Sequence, residues 1–427
     1  MKTRHLLTAI VGMTSMLATA QTVGYDFVVP TDGTFRQAIE AANDRRDTLT
    51  RFRIFVRRGT YVTDTKGTTT GGDGREYGDP RTRLSAPFTS IIGEERDATV
   101  ITNSVPEPTW NNGFGRANPL EGIGRGDVLI IEATAHDTYM QDITIRSGMG
   151  DNTGRNIALN DNSERTAMKN VCLWGYQDTY VSHNGNGRYY FEGGVIRGRT
   201  DYVCGKGDVL YNGVTLQQCG KGGYLAVPSV PRKYGYVFLN CHVRKETPDV
   251  SFYLGRPWGK GTPTARFVNT TLDTAPLKNG WADMSGGWPA QFAEYASHLP
   301  SGEMLSLDKR RTEWTDRDKQ THANNPRLTK DEADMLTPER VMECSREWNP
   351  LEQCRQAAAV KGLRLKNDAL RWKRSKGATF YAICRNGSAV AFTKKASFTL
   401  PADASATDRW SIRAANAMGG LGAPTDL

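Results

Sequence analysis

The sequence predicts an all-β protein assembled from many short strands, with a solenoid and a sandwich both open at this level. Three observations carry that expectation. Glycine is frequent, 44 of 427 residues, which favours turns over long helices. From residue 43 to about Trp288 the chain runs in short β-branched stretches punctuated by Gly, Asn and Asp, among them 53–56, 90–92, 128–132, 142–145, 195–196 and 236–239. These stretches recur at intervals of roughly two to three tens of residues, with no long helical period between them.

Taken in order, the chain begins with Lys2 and Arg4, a short apolar run from Leu6 to Leu17, and the small-x-small site Ala18-Thr19-Ala20. This is the layout of a secretory signal peptide, so 1–20 is set apart from the fold and an exported protein, periplasmic or secreted, is expected. Thr34 and Gln37 stand in capping-box spacing ahead of Phe35, Ile39 and Ala42, which share one helical face and predict a helix to Ala42. Residues 64–83, rich in Gly, Thr and charge, are expected to be an exposed loop. The main β domain is expected over 21–299. Residues 300–347 are dense in charge and read as a polar connector packed on it, with a short helix after the second capping box, Thr329 and Glu332. Residues 348–427 read as a small β-sandwich with its own core. Leu363 and Leu365, then Leu370 and Trp372, alternate with polar neighbours, Asn386-Gly387 marks a hairpin, and Trp410, Ile412 and Ala414 form a last strand. The end of this module resembles fibronectin type III modules.

Composition narrows the function classes. Apolar residues make up 38% and charged residues 24%, as in a soluble globular chain, and no apolar run approaches the ~20 residues of a membrane helix. Lys and Arg number 55 against 46 Asp and Glu, a net +9 that favours an anionic partner such as nucleic acid, a membrane surface or an acidic polysaccharide. Nothing beyond charge points to nucleic acid. The seven Cys include no C-x-x-C and no zinc-like spacing with His, and spacing alone assigns no pairing. There is no G-x-S-x-G elbow, H-E-x-x-H, P-loop or G-x-G-x-x-G, and no cofactor or metal is expected.

Carboxylates are the better lead. Three segments stand out: Gly175-Tyr176-Gln177-Asp178-Thr179, Thr200-Asp201-Tyr202-Val203-Cys204-Gly205 and Leu254-Gly255-Arg256-Pro257-Trp258. In that order they resemble the three motifs of the pectin methylesterases (pectinesterases). Gly59-Thr60-Tyr61 and the stretch from Gly223-Tyr224-Leu225 to Pro228-Ser229 add support, and the resemblance covers roughly 26–295. It implies a right-handed parallel β-helix, in which Asp178 and Asp201, twenty-three residues apart, fall on adjacent coils.

The resemblance also implies the roles. Asp201 would attack the methyl ester of galacturonate and form an acyl-enzyme, and Asp178 would protonate departing methanol and then deprotonate water. Arg256 would hold Asp201 ionised, and Gln177 would donate to the oxyanion. Trp258 and Tyr202 would face the sugars, with Tyr176, Tyr180 and Tyr224 as further groove residues. Tyr224, like Tyr61 and His183, is more simply read as structural. One departure matters most: Arg155, in Gly154-Arg155-Asn156-Ile157-Ala158-Leu159, stands where the family has a Gln on the oxyanion. Tyr180 and Cys204 are milder changes in the groove. The expected partner is methyl-esterified galacturonan, bound by a monomer. The alternatives are a catalytically impaired pectin-binding β-helix and an esterase for another acyl group on a pectic side chain.

Overall fold

Strands of three to six residues are too short to bury a core singly, and this chain stacks them coil upon coil. The computed structural model describes residues 23–63, 81–103, 127–151, 154–259, 261–277 and 279–427, with the backbone of short strands at 69–70, 76–77, 109–111 and 115–117. The expected signal peptide therefore lies outside the described residues, as does most of the 64–83 loop. The end of that loop is a strand, Thr82–Leu84, because Thr82 and Leu84 turn inward and the segment pairs with Leu129–Ile131.

Three parallel sheets run the length of the molecule. The ten-stranded sheet starts at Phe27–Val29 and ends at Gln291–Tyr295, the eight-stranded sheet runs from Gly59–Thr63 to Thr271–Leu272, and the seven-stranded sheet from Thr82–Leu84 to Phe252–Gly255. One coil contributes a strand to each sheet: Tyr180–Ser182, Arg188–Glu192, Val195–Gly198, and then the next coil begins at Thr200. This is a parallel β-helix, with strand boundaries within two residues of those expected. The helix at Phe35–Asn43 has the expected Thr34–Gln37 capping box and buries Phe35, Ala38, Ile39 and Ala42 in the main core.

Parallel register places like positions over one another, so inward residues form ladders. On the ten-stranded sheet Met168, Phe191, Tyr211, Phe238 and Phe267 are successive partners. Their rings stack at 5.0 Å (Phe191–Tyr211), 4.6 Å (Tyr211–Phe238) and 4.2 Å (Phe238–Phe267). A carboxyl group is buried there as well. Asp161 is fully buried; Oδ1 accepts from Ser163 N and Oγ at 3.0 and 2.7 Å, and Oδ2 has no partner among the described residues. Burial pushes its carboxyl up to about 6, opposed by the hydrogen bonds from Ser163 and Thr166.

The outer face of the ten-stranded sheet is apolar too, and later segments cover it. Leu328, Leu336, Val341, Met342, Trp348 and Cys354 pack there, followed by Phe380, Phe392 and Leu421 of the C-terminal unit. That unit has antiparallel sheets of three and four strands around Leu370, Trp372, Tyr381, Ile383, Trp410 and Ile412. Trp410–Ala415 is not its last strand: Leu421–Asp426 follows and pairs with it. Its underside meets the β-helix through Tyr25, whose ring contacts Phe380 and Phe392 at 5.0 and 4.9 Å and whose hydroxyl donates to Gly419 O at 2.7 Å. Arg53 donates twice to Ala417 O, and Arg413 donates to Glu94 O. All seven cysteines are free thiols, six of them buried.

The sandwich thus has its own core and also covers a face of the solenoid. Truncation after residue 347 is expected to uncover that face, giving aggregation or a Tm lower by more than about 10 °C. A soluble truncated chain melting with the parent would contradict this.

Asp161 carries a second expectation. Its folded-state pKa lies above the ordinary 3.8, so its contribution to stability is complete below that value and is lost as pH rises through about 6. The loss is on the order of 3 kcal/mol. Asp161→Asn should flatten the fall of Tm between pH 4.5 and 7.5; a parallel curve for parent and variant would refute it.

Candidate active site

The site lies on the outer face of the seven-stranded sheet, where the first, second and fourth of four consecutive coils present the three sequence motifs. The first coil makes a tight turn at 175–178. Asn156 Oδ1 accepts from Tyr176 N at 2.7 Å and Gln177 N at 2.5 Å, and a Cβ on Gly175 would lie 2.5 Å from Asn156 O. Gln177 bridges Thr200 of the next coil, and Tyr180 pairs with Val203, so Asp178 and Asp201 occupy matching steps of adjacent coils. Both have left-handed backbones, φ +57° and +53°. Such a conformation costs about 1–2 kcal/mol for most side chains and is best tolerated by Asn and Asp. Here it kinks each strand entrance so that the carboxylate leaves the sheet on the outer side.

The register of the second coil shifts between Thr200 and Val203. The irregularity lets Tyr202 and Val203, consecutive residues, both enter the core while Asp201 faces the cleft. Arg256, at the end of the strand two coils on, reaches back to Asp201 with a paired contact, Nε–Oδ1 2.9 Å and Nη2–Oδ2 2.6 Å. Asp201 is only 7% exposed, and burial pushes its carboxyl up while Arg256 opposes that shift through hydrogen bonds and charge. Asp178 meets Arg155 Nε at 3.3 Å through Oδ2 and the Cys204 thiol at 3.8 Å through Oδ1. Burial and the carboxylates of Asp178 and Asp201 hold that thiol well above its usual range, so Cys204 is a protonated donor and no thiolate.

These groups line a cleft of about 370 Å³. Its floor is the in-register row Val181, Cys204 and Val227, joined by Ile157; Trp258 and Met284 stand at one end, and Gln177, Arg155 and His183 complete the wall. Trp258 is 37% exposed, a free flat face. The cleft thus gathers Asp178, Asp201, Gln177, Arg256, Arg155 and Trp258. A larger cavity of about 860 Å³ lies between the β-helix and the sandwich, but it is lined by charges that pair among themselves, as in Arg58–Glu95 at 2.8 Å and Arg96–Asp97 at 2.6 Å.

The tyrosines expected in the groove need correction. Tyr180 and Tyr202 are fully buried in the main core and cannot touch a sugar. Tyr180 begins a strand whose alternate residues, Val181 and His183, take the outer face. Tyr202 is drawn in by the register shift and packs on Gly198, where a Cβ would sit 2.2 Å from its own. Tyr176 is buried beneath Arg199, at 5.9 Å, outside the cleft lining. Tyr224 lies under Arg256, whose guanidinium carbon is 3.8 Å from the ring centroid. His183, read as structural, lines the cleft together with Ile157, Val181, Val227 and Met284, none of which was expected as a site residue. Alternation from Val181 is the one sequence signal that would have found His183.

Residues 130–333 match the family model described as Pectinesterase. Pectinesterase 31 of Arabidopsis thaliana is 26% identical over 241 residues, covering 53% of this chain and 71% of the relative. Pectinesterase 2.1 of Solanum lycopersicum is 24% identical over 313 residues, covering 69% of this chain and 51% of the relative. In another Arabidopsis thaliana relative the match spans 59% of its length. Among solved structures, pectin methylesterase from carrot superposes with a TM-score of 0.56 at 18% identity, covering 76% of this chain and 95% of that one. Pectin methylesterase PemA from Erwinia chrysanthemi gives 0.54 at 22% identity, with 76% and 98% covered. A pectin methylesterase in complex with a hexasaccharide gives the same values. At these identities the structural likeness shows a shared fold. The family model over residues 130–333, the relatives and the fold thus agree in a likeness to the pectinesterases.

Proposed function

We propose that the chain is a carboxylic ester hydrolase that removes methyl groups from galacturonate in pectin, and that residues 1–20 direct its export. The observation that carries this reading is the pair of carboxylates at matching steps of adjacent coils, one clamped by Arg256 and the other not, in a cleft of sugar-binding size. Two carboxylates in unlike environments divide nucleophile from proton carrier. Ionised Asp201 attacks the ester carbonyl carbon, the C=O electrons move onto oxygen, and the oxyanion is met by the Gln177 amide and the Arg155 guanidinium. Collapse expels methoxide, which takes a proton from Asp178, and leaves the acyl group on Asp201. Asp178 then removes a proton from water, the hydroxide attacks the acyl carbon, and Asp201 leaves as carboxylate. Trp258 offers a platform for a neighbouring sugar ring. The basic balance of the chain suits a polyanionic polysaccharide.

Arg155 supports a second reading of the same cleft. Its side chain is 47% exposed at the rim and already paired with Asp178, so it is placed to meet a substrate carboxylate as well as an oxyanion. A chain in which that pairing withholds Asp178 from proton transfer would bind pectin without turning it over.

Methanol release from methylated pectic polymers separates these readings. The parent is expected to release methanol, and Asp201→Asn to lower kcat on the order of a thousandfold or more while binding of pectic oligomers is largely kept. Binding without methanol from the parent would favour the second reading, and release of acetate instead would make the substrate a different acyl ester. Undiminished turnover by Asp201→Asn would displace Asp201 as nucleophile.

For Arg155→Gln, kcat/KM should fall mainly on oligogalacturonates carrying free acid beside the ester, by about three- to tenfold, and the difference should shrink as salt is raised. Fully methylated substrate should be turned over at much of the parent's rate. An equal loss on both substrates, indifferent to salt, would rule out carboxylate reading.

A further inference from the structure

Arg256 crosses a distance of two coils to reach Asp201, and a long side chain holding one geometry over that span needs support along its length. The support is aromatic. The Arg256 guanidinium carbon lies 3.8 Å from the centroid of the Tyr224 ring, and Tyr224 in turn stacks on Tyr253 with centroids 5.6 Å apart and planes 9° from parallel. Both contacts follow from register: Tyr224 and Tyr253 are direct strand partners, and Arg256 directly follows the strand that carries Tyr253. The Tyr224 ring is half-buried between Arg256 and Tyr253, packed beside the row Val181, Cys204 and Val227.

We propose that Tyr224 and Tyr253 are positioning residues, a two-ring stack that holds the Arg256 guanidinium in the plane from which it grips both oxygens of Asp201. The inference rests on the esterase reading for its kinetic consequence and on geometry alone for its structural one. A planar guanidinium is best held by a flat π-face, which fixes its tilt as well as its place. Asp201 needs that grip. Burial raises its carboxyl and Arg256 opposes that rise, so a guanidinium free to swing would leave the carboxylate less well paired. The other charged or titratable groups facing Asp201 across the cleft are Asp178, Cys204, His183 and Arg155.

The test compares Tyr224→Leu, Tyr224→Phe and Tyr253→Leu with the parent in two measurements. In methanol release, Tyr224→Leu should lower kcat by about tenfold with KM within about twofold, and the acid limb of kcat should move up by about one pH unit. Tyr253→Leu should show a smaller change of the same kind, and Tyr224→Phe, which keeps the ring, should recover most of the parent's kcat and pH profile. In the second measurement, the Asp201 side-chain carboxyl is titrated by ¹³C NMR, assigned with Asp201→Asn; its midpoint should rise in Tyr224→Leu and return in Tyr224→Phe. The titration needs no turnover, so a parent without methanol release would count against the esterase reading and leave the stack to be judged on the midpoint. If Tyr224→Leu does not fold, Tyr253→Leu decides. A rise in KM alone would make Tyr224 a sugar contact, and an unmoved Asp201 midpoint in the leucine variants would overturn the proposal.

Discussion

Parallel register is the constraint on which everything else in this molecule depends. Because each strand lies on the equivalent strand of the next coil, a residue type chosen at one step is repeated or complemented at that step along the axis. Inward steps become the ladder Met168, Phe191, Tyr211, Phe238 and Phe267, and outward steps on the seven-stranded sheet become Val181, Cys204 and Val227. The same rule brings two aspartates from separate coils to matching steps, and sets Tyr253 upon Tyr224. Close-packed ladders leave little room for slippage, since a shift by one residue would move every apolar side chain to the other face.

The site departs from that regularity where chemistry is needed. Asp178 and Asp201 leave the pleat through left-handed backbones, and the second coil carries a register shift beside Asp201. Strain of this kind persists only where the surroundings over-determine it. Asn156 holds the 175–178 turn through two backbone N–H groups, and Arg256 anchors Asp201 from two coils away. Burial and pairing oppose one another at Asp201: burial raises its carboxyl, and Arg256 offsets part of that rise.

The far side of the solenoid answers to a different requirement. The outer face of its ten-stranded sheet is apolar, and the segment 328–354 and the underside of the C-terminal sandwich cover it. Backbone carbonyls at Ala417, Gly419 and Leu421 accept hydrogen bonds from Arg53, Tyr25 and Gln141, so the junction is polar as well as apolar. A module attached in this way is a structural part of the solenoid's wall, with its own core on the distal side.

The sequence by itself determined the strand texture, the two capping boxes, the Asn386-Gly387 hairpin and the three motifs that supply Asp178, Asp201, Arg256, Gln177 and Trp258 to one cleft. These are local signals, carried by residue type and short spacing, and resemblance to a family supplied the coil geometry that periodicity left open. Which way each tyrosine points was decided only by the tertiary structure. Tyr180 and Tyr202 are polar enough to be expected at a sugar groove, yet the pleat sends the first inward and a register shift sends the second. Tyr224 meets Arg256 because their coils are stacked, and His183 reaches the cleft because it alternates with Val181 on one face. The apolar cover over the ten-stranded sheet was equally hidden, since residues as far apart in the chain as Tyr25 and Phe380 become neighbours only when the last strands fold back onto the first. Side-chain direction and long-range contact depend on register between coils, and register is a property of the stack as a whole.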